Sequence, residues 1–177
     1  MTNDIQLLLQ EAWTHRREGN YDQAGAVLSK AHALANDQDF ESLGRIFHIY
    51  AQFSADHDNH EEAVISYRKS LSYYEQSGDQ SRVAHAMRHL ADSLTNLGVF
   101  EEAERYYRKV LEIYDSLLHA NSGNVANATA SFACLLEKMG MVDEAIDAWK
   151  QAHTLYSQIG LQAGIDEAQQ RLSALSS

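Results

Sequence analysis

The chain has 177 residues, 45% of them hydrophobic, and carries 14 Lys and Arg against 25 Asp and Glu, a formal net charge of −11. That length and composition suit a single domain over residues 1–177 with a continuous core. The acidic balance argues against a nucleic-acid partner, no apolar run approaches a membrane span, and the lone Cys134 excludes an internal disulfide.

Hydrophobic periodicity and turn residues predict nine helices, at about 3–18, 21–35, 39–57, 60–77, 80–97, 100–118, 122–139, 142–159 and 161–175. Acidic Asp4 stands where a secretion signal would be basic, so a cytoplasmic protein is expected. The first eight helices pair into hairpins. Each hairpin sets a small residue of its first helix twelve positions before an alanine of its second: Ala12 and Ala24, Ala51 and Ala63, Ala91 and Ala103, Ala133 and Ala145. The copies recur every 39, 40 and 42 residues, a period that means stacked supersecondary units. Gly19, Gly98 and Gly140 are expected to end the first helices in a left-handed conformation, with Asp58 and Asn59 in that place in the second copy. Ser42, Ser81 and Ser122 are read as helix starts. Leu28, Tyr67, Tyr107 and Trp149 follow the second-helix alanines by four residues, and Ala31, Ser70, Val110 and Ala152 by seven, which makes one buried stripe. The acidic pairs Glu61–Glu62, Glu101–Glu102 and Asp143–Glu144 fall in the first turns of second helices, where they complement the helix dipole. In the ninth helix Leu161, Ile165, Ala168, Leu172 and Leu175 share a face, as a cap over the last repeat requires.

From Ile5 to Tyr156 these residues resemble the tetratricopeptide repeat. The third copy, LADSLTNLGVFEEAERYYRKVLEIY from Leu90 to Tyr114, carries the resemblance best. The period matches the longer version of kinesin light chains, Pins-type proteins and bacterial peptide-sensing repeat proteins, whose second helices run further; here the extensions are 73–77, 114–119 and 156–159. The chain departs from the pattern in having no proline, in Glu11 where the other copies have Tyr50, Leu90 and Phe132, and in His15 and Ser54 in place of a hydrophobe. The resemblance implies an all-α, right-handed α-α superhelix of four hairpins, 3–35, 39–77, 80–118 and 122–159, with a capping helix at 161–175.

It also implies a concave groove lined by the first helices. Projected residue by residue, the groove takes Gln6, Trp13, Arg16 and Arg17 from the first copy, and Arg45, His48 and Gln52 from the second. The third supplies His85, Arg88, His89 and Asp92, and the fourth Asn127, Ser131, Cys134 and Lys138. A basic, histidine-rich middle on an acidic chain suits a carboxylate-bearing ligand; the competing reading is a set of solvated faces paired with neighbouring acids. The positions that hold a C-terminal carboxylate in chaperone-binding relatives carry Leu9, Trp13, Ile49, His85 and His89 here, so that particular clamp is not expected.

His85 and His89 have a spacing that can hold zinc, but the HExxH glutamate is missing and Arg88 would repel a cation; no metal and no cofactor are expected. Cys134 lies mid-helix without a histidine partner, and no phosphate loop or Ser-His-Asp set is present. The expected function is therefore a non-catalytic protein-interaction scaffold that binds a peptide or protein segment, with no nucleic-acid or membrane partner. The alternatives are a peptide-sensing regulatory domain and, far behind it, an enzyme with a histidine-based site. Tyr73, Tyr74, Tyr106, Tyr107, Tyr114 and Tyr156 crowd the second helices, and any left exposed would supply a partner or self-association surface.

Overall fold

The computed structural model describes residues 2–176, which form helices α1 (Thr2–Arg17), α2 (Tyr21–Leu34), α3 (Phe40–Asp56), α4 (His60–Ser77), α5 (Gln80–Asn96), α6 (Phe100–Ser116), α7 (Ser122–Lys138), α8 (Val142–Ile159) and α9 (Gln162–Leu175). No strand occurs among the described residues, and no helix is long and apolar enough to cross a membrane. The chain divides into two compact units, Met1–Ala86 and Met87–Ser177, with the division inside α5.

In the first unit α1 packs on α2, both meet α3, and α3 packs on α4. Ala12, Ala24, Ala51 and Ala63 are fully buried, as close approach of paired backbones requires. Ile5 and Leu9 of α1, Val27 and Leu28 of α2, and Ile46 and Ile49 of α3 fill the space beside them. Gly44 serves the same purpose on α3. Its missing side chain leaves room for the ring of Tyr74, since a Cβ there would stand 2.6 Å from Cδ1 and Cε1 of that ring. The Ser70 hydroxyl donates to the Gly44 carbonyl at 2.7 Å across the same contact.

In the second unit α6 packs on α7, α7 on α8, and α8 on α9. Trp149 is fully buried among Ala126, Ala130, Ala133 and Ala152; hiding a side chain of that size contributes about 1.5–3 kcal/mol. Ala168 of α9 joins this core, with Ile165, Leu172 and Leu175 packed against it. Leu161 does not share their face: it is the N-cap residue of α9 and remains 44% exposed. Gly164 lies under the ring of Tyr156, again with 2.6 Å to a hypothetical Cβ.

The turns inside the four hairpins are built alike. Gly19, Gly98 and Gly140 have φ of 77°, 75° and 74°, and Asp58 takes 57°. The residue after each, Asn20, Asn59, Val99 or Met141, donates its N–H to the carbonyl five residues back, at 2.8–2.9 Å. Lost helical carbonyls are thereby satisfied and the chain is aimed into the next helix.

Two expectations are corrected. Ser122 does start α7, but Ser42 and Ser81 stand inside their helices, and the caps are other residues: Asp39 accepts from the N–H of Ser42, Asp79 from that of Arg82, and Asn121 from that of Asn124. The extension of α6 stops at Ser116, where Leu117 turns extended, with ψ of 120°.

Candidate interaction site

The polar residues expected to line a groove come from α1, α3, α5 and α7. In the first unit Arg16 is bound in a fork by Asp56, with Nε and Nη2 donating at 2.6 and 2.7 Å. The Arg45 guanidinium donates to the Gln6 side-chain carbonyl at 2.7 Å. Trp13 is 39% exposed, and the Arg17 guanidinium sits 4.6 Å above its ring. Gln52 is half-buried. His48 is buried and offers little surface to solvent: its ring stacks on His85 at 5.0 Å and meets the edge of Tyr67 at 5.2 Å.

In the second unit Asp92 is the hub. It accepts from Tyr107 Oη at 2.5 Å and from Arg88 Nη1 at 2.9 Å, with His89 Nδ1 at 3.5 Å. Arg88 Nη2 lies 2.7 Å from His89 Nε2. A guanidinium can only donate, so Nε2 is the acceptor and Nδ1 carries the proton toward Asp92. Burial pushes the Asp92 carboxyl up. The His89 hydrogen bond, the charge of Arg88 and the Tyr107 hydrogen bond outweigh it and hold the carboxyl at about 2. Burial first, and then the Asp92 charge, push the Tyr107 hydroxyl well above its usual range.

Beside this network opens a recess of about 330 Å³, lined by Asp92, Thr95 and Asn96 of α5, Tyr107 of α6, Ser131, Cys134, Glu137 and Lys138 of α7, and Arg171 of α9. It gathers Asp92, Ser131, Cys134 and Lys138 of the expected set. Asn127 is exposed, and its side-chain carbonyl accepts from Tyr156 Oη at 2.9 Å. Burial raises the Cys134 thiol pKa, which disfavours the reactive thiolate form.

Sequence reasoning missed Glu137 and Arg171. Glu137 accepts from buried Trp149 Nε1 at 2.5 Å and from Arg171 at 3.3 Å, which ties α7, α8 and α9 together at the wall of the recess. For Arg171 the three-residue spacing from Ala168 was the available signal. Tyr74, Tyr107, Tyr114 and Tyr156 are all buried, so they form core rather than an exposed tyrosine surface. Tyr73 is half-buried and stacks on Phe47 at 5.6 Å.

A tetratricopeptide repeat family model matches residues 42–116 and 82–158, together more than half of the chain. Among solved structures the chain is similar to BtubC (BKLC) from P. vanneervenii, at 18% identity over 99% of this chain and 89% of that one, with a TM-score of 0.69. The nearly identical TPR-like repeats of a putative kinesin light chain from Podosopora anserina align at 14% identity over 97% and 94%, with a TM-score of 0.70. The apo form of RapI aligns at 12% identity over 97% of this chain and 69% of that one, with a TM-score of 0.80. At these identities the likeness is one of fold. Comparison with curated proteins finds no match.

Proposed function

Since the chain belongs to the tetratricopeptide repeat family, we propose that it is a non-catalytic interaction module that takes a peptide or protein segment against its first helices. The observation that carries this reading is the 330 Å³ recess of the second unit, whose lining comes largely from α5 and α7. It is large enough to take a ligand side chain, and its walls offer hydroxyl, amide and charged groups for orientation.

The acidic character of the ligand rests on fewer cations than the sequence suggests. Arg16 and Arg88 already face Asp56 and Asp92. Arg45 and Lys138 bond instead to the neutral amides of Gln6 and Asn96, the latter at 3.5 Å. A ligand carboxylate replaces an amide there without first displacing another carboxylate, so Lys138, which lines the recess, is the preferred anchor for an acidic group in the second unit.

The test is a pull-down with the intact chain from cells of the source, followed by titration of the captured partner. Ser131→Tyr, which fills the recess, should weaken binding by about tenfold, some 1.4 kcal/mol, while the exposed control Lys109→Glu leaves it unchanged. Equal affinity in Ser131→Tyr, with helicity intact, moves the site off the recess. A change in X-ray scattering on ligand addition identifies the module as ligand-responsive rather than passive.

A further inference from the structure

We propose that the capping helix α9 is part of the ligand site: Arg171, together with Lys138 of α7, clamps one carboxylate of the bound segment in the recess of the second unit, and the ligand thereby fastens α9 to the last repeat. Such a clamp rests on the recess being the place where a segment binds. It adds which ligand group is held there and what binding does to the fold.

Four charged side chains line the recess: Asp92, Glu137, Lys138 and Arg171. The two acids are engaged. Asp92 accepts from the Tyr107 hydroxyl at 2.5 Å and from Arg88 Nη1 at 2.9 Å. Glu137 accepts from Trp149 Nε1 at 2.5 Å on one oxygen and from Arg171 Nη1 at 3.3 Å on the other. The two cations are used far less. The Lys138 ammonium is exposed and meets only the neutral Asn96 side-chain carbonyl, at a long 3.5 Å. Arg171 is 46% exposed and engages Glu137 through Nη1, which leaves Nε and Nη2 to a ligand. A cationic ligand group would compete for acceptors already in use, whereas a carboxylate meets open donors on two walls.

Both cations act on one stretch of the recess wall. Cys134 lies one turn before Lys138 on α7. Burial, the largest influence, pushes its thiol up, and the charges of Arg171 and Lys138 push it down against those of Glu137 and Glu167. Glu167, one turn before Arg171 on α9, is the like charge that a ligand acid meets. With Asp92, Glu137 and Glu167 close by, a singly charged carboxylate suits the clamp better than a phosphate, which brings more negative charge to the same place.

The capping helix has much to gain from a ligand. It packs on α8, and its buried residues are Gly164 and Ala168. End elements with few buried contacts open first. Its polar tie to α7 is the 3.3 Å contact of Arg171 with Glu137. A carboxylate shared by Lys138 and Arg171 makes a second tie between the same helices. A ligand that binds only the docked helix suppresses its opening in proportion to the affinity.

The experiment titrates the full 15N-labelled chain with N-acetylglutamate amide, which offers only its side-chain carboxylate, and with its neutral isostere N-acetylglutamine amide. The acid should shift the resonances of Ser131, Lys138 and Arg171, and the isostere should bind at least about tenfold more weakly. Lys138→Gln and Arg171→Gln should each weaken the acid about tenfold. Arg171→Lys, which keeps the charge, should recover part of the loss, and Glu167→Gln should raise affinity. At saturation the α9 amides should exchange with solvent more slowly. Absence of saturable shifts, equal binding of acid and isostere, or full affinity in the Lys138→Gln, Arg171→Gln double variant overturns the clamp. Inorganic phosphate binding more tightly than the acid overturns the choice of carboxylate, and unchanged α9 exchange at saturation overturns the fastening. A captured partner weakened by Ser131→Tyr but not by the double variant removes the clamp and keeps the recess; one indifferent to all three substitutions removes both.

Discussion

Gly25, Gly44 and Gly164 all lie within helices, and a methyl group added to each meets different surroundings. At Gly25 of α2 a Cβ has nothing within 4 Å, so Gly25→Ala keeps only the gain in helix propensity, about 0.8–1 kcal/mol. At Gly44 the same gain applies, but the new carbon stands 2.6 Å from two atoms of the Tyr74 ring. That ring cannot readily yield. It is 4% exposed, and the Arg82 guanidinium lies 5.8 Å from its centroid. Forcing a methyl into such a contact costs about 1–3 kcal/mol, and more where backbone must move. Subtracting the propensity gain leaves Gly44→Ala less stable than the parent by up to about 2 kcal/mol. Gly164→Ala, with three Tyr156 ring atoms at 2.6–2.7 Å, should fall at least as far. Urea unfolding followed by circular dichroism measures all three against the parent, with the near-ultraviolet band reporting the tyrosines. If Gly44→Ala and Gly25→Ala shift the midpoint in the same direction by similar amounts, close approach through absent side chains is not what joins α3 to α4.

Acid should act through Asp92. Its folded pKa of about 2 lies below the unfolded value, so its ionised form stabilises the fold above about pH 4 and that contribution is lost as pH falls toward about 2; the amount is about 2 kcal/mol. Stability of Asp92→Asn should therefore vary less than the parent's across this window, and parallel pH curves would refute the assignment. At the caps, Asp39→Ala should cost about 1 kcal/mol by chemical denaturation, whereas Ser81→Ala, at an exposed site inside α5, should cost far less.

The path of the chain through its helices is legible because glycine and spacing write it directly. Gly19, Gly98 and Gly140 mark the turns, and the twelve-residue alanine interval marks which helix faces meet. Caps are less legible because two candidates stand close together at each joint. Asp39 precedes Ser42 and Asp79 precedes Ser81, and only backbone geometry decides which side chain reaches the free N–H groups. Among the site residues, the Arg88–Asp92 pair follows from its i, i+4 spacing. The stacking of His48 on His85 does not, because it joins helices 37 positions apart in sequence. The same holds for Glu137, which serves Trp149 and Arg171 at once. No local pattern says that an acid at the end of α7 will be shared by two other helices.

The uniform turns have a kinetic consequence. Three residues separate the helices of every hairpin: 18–20, 57–59, 97–99 and 139–141. Closing so short a connection costs little chain entropy, and the alanine contacts it brings together are near neighbours along the polypeptide. Chains dominated by such local contacts collapse quickly and without long searches. A hairpin leaving the ribosome can therefore form its own turn and first contacts before the next copy has been made. Slow refolding phases from prolyl isomerisation, the usual delay in larger chains, have no source here, because the sequence contains no proline.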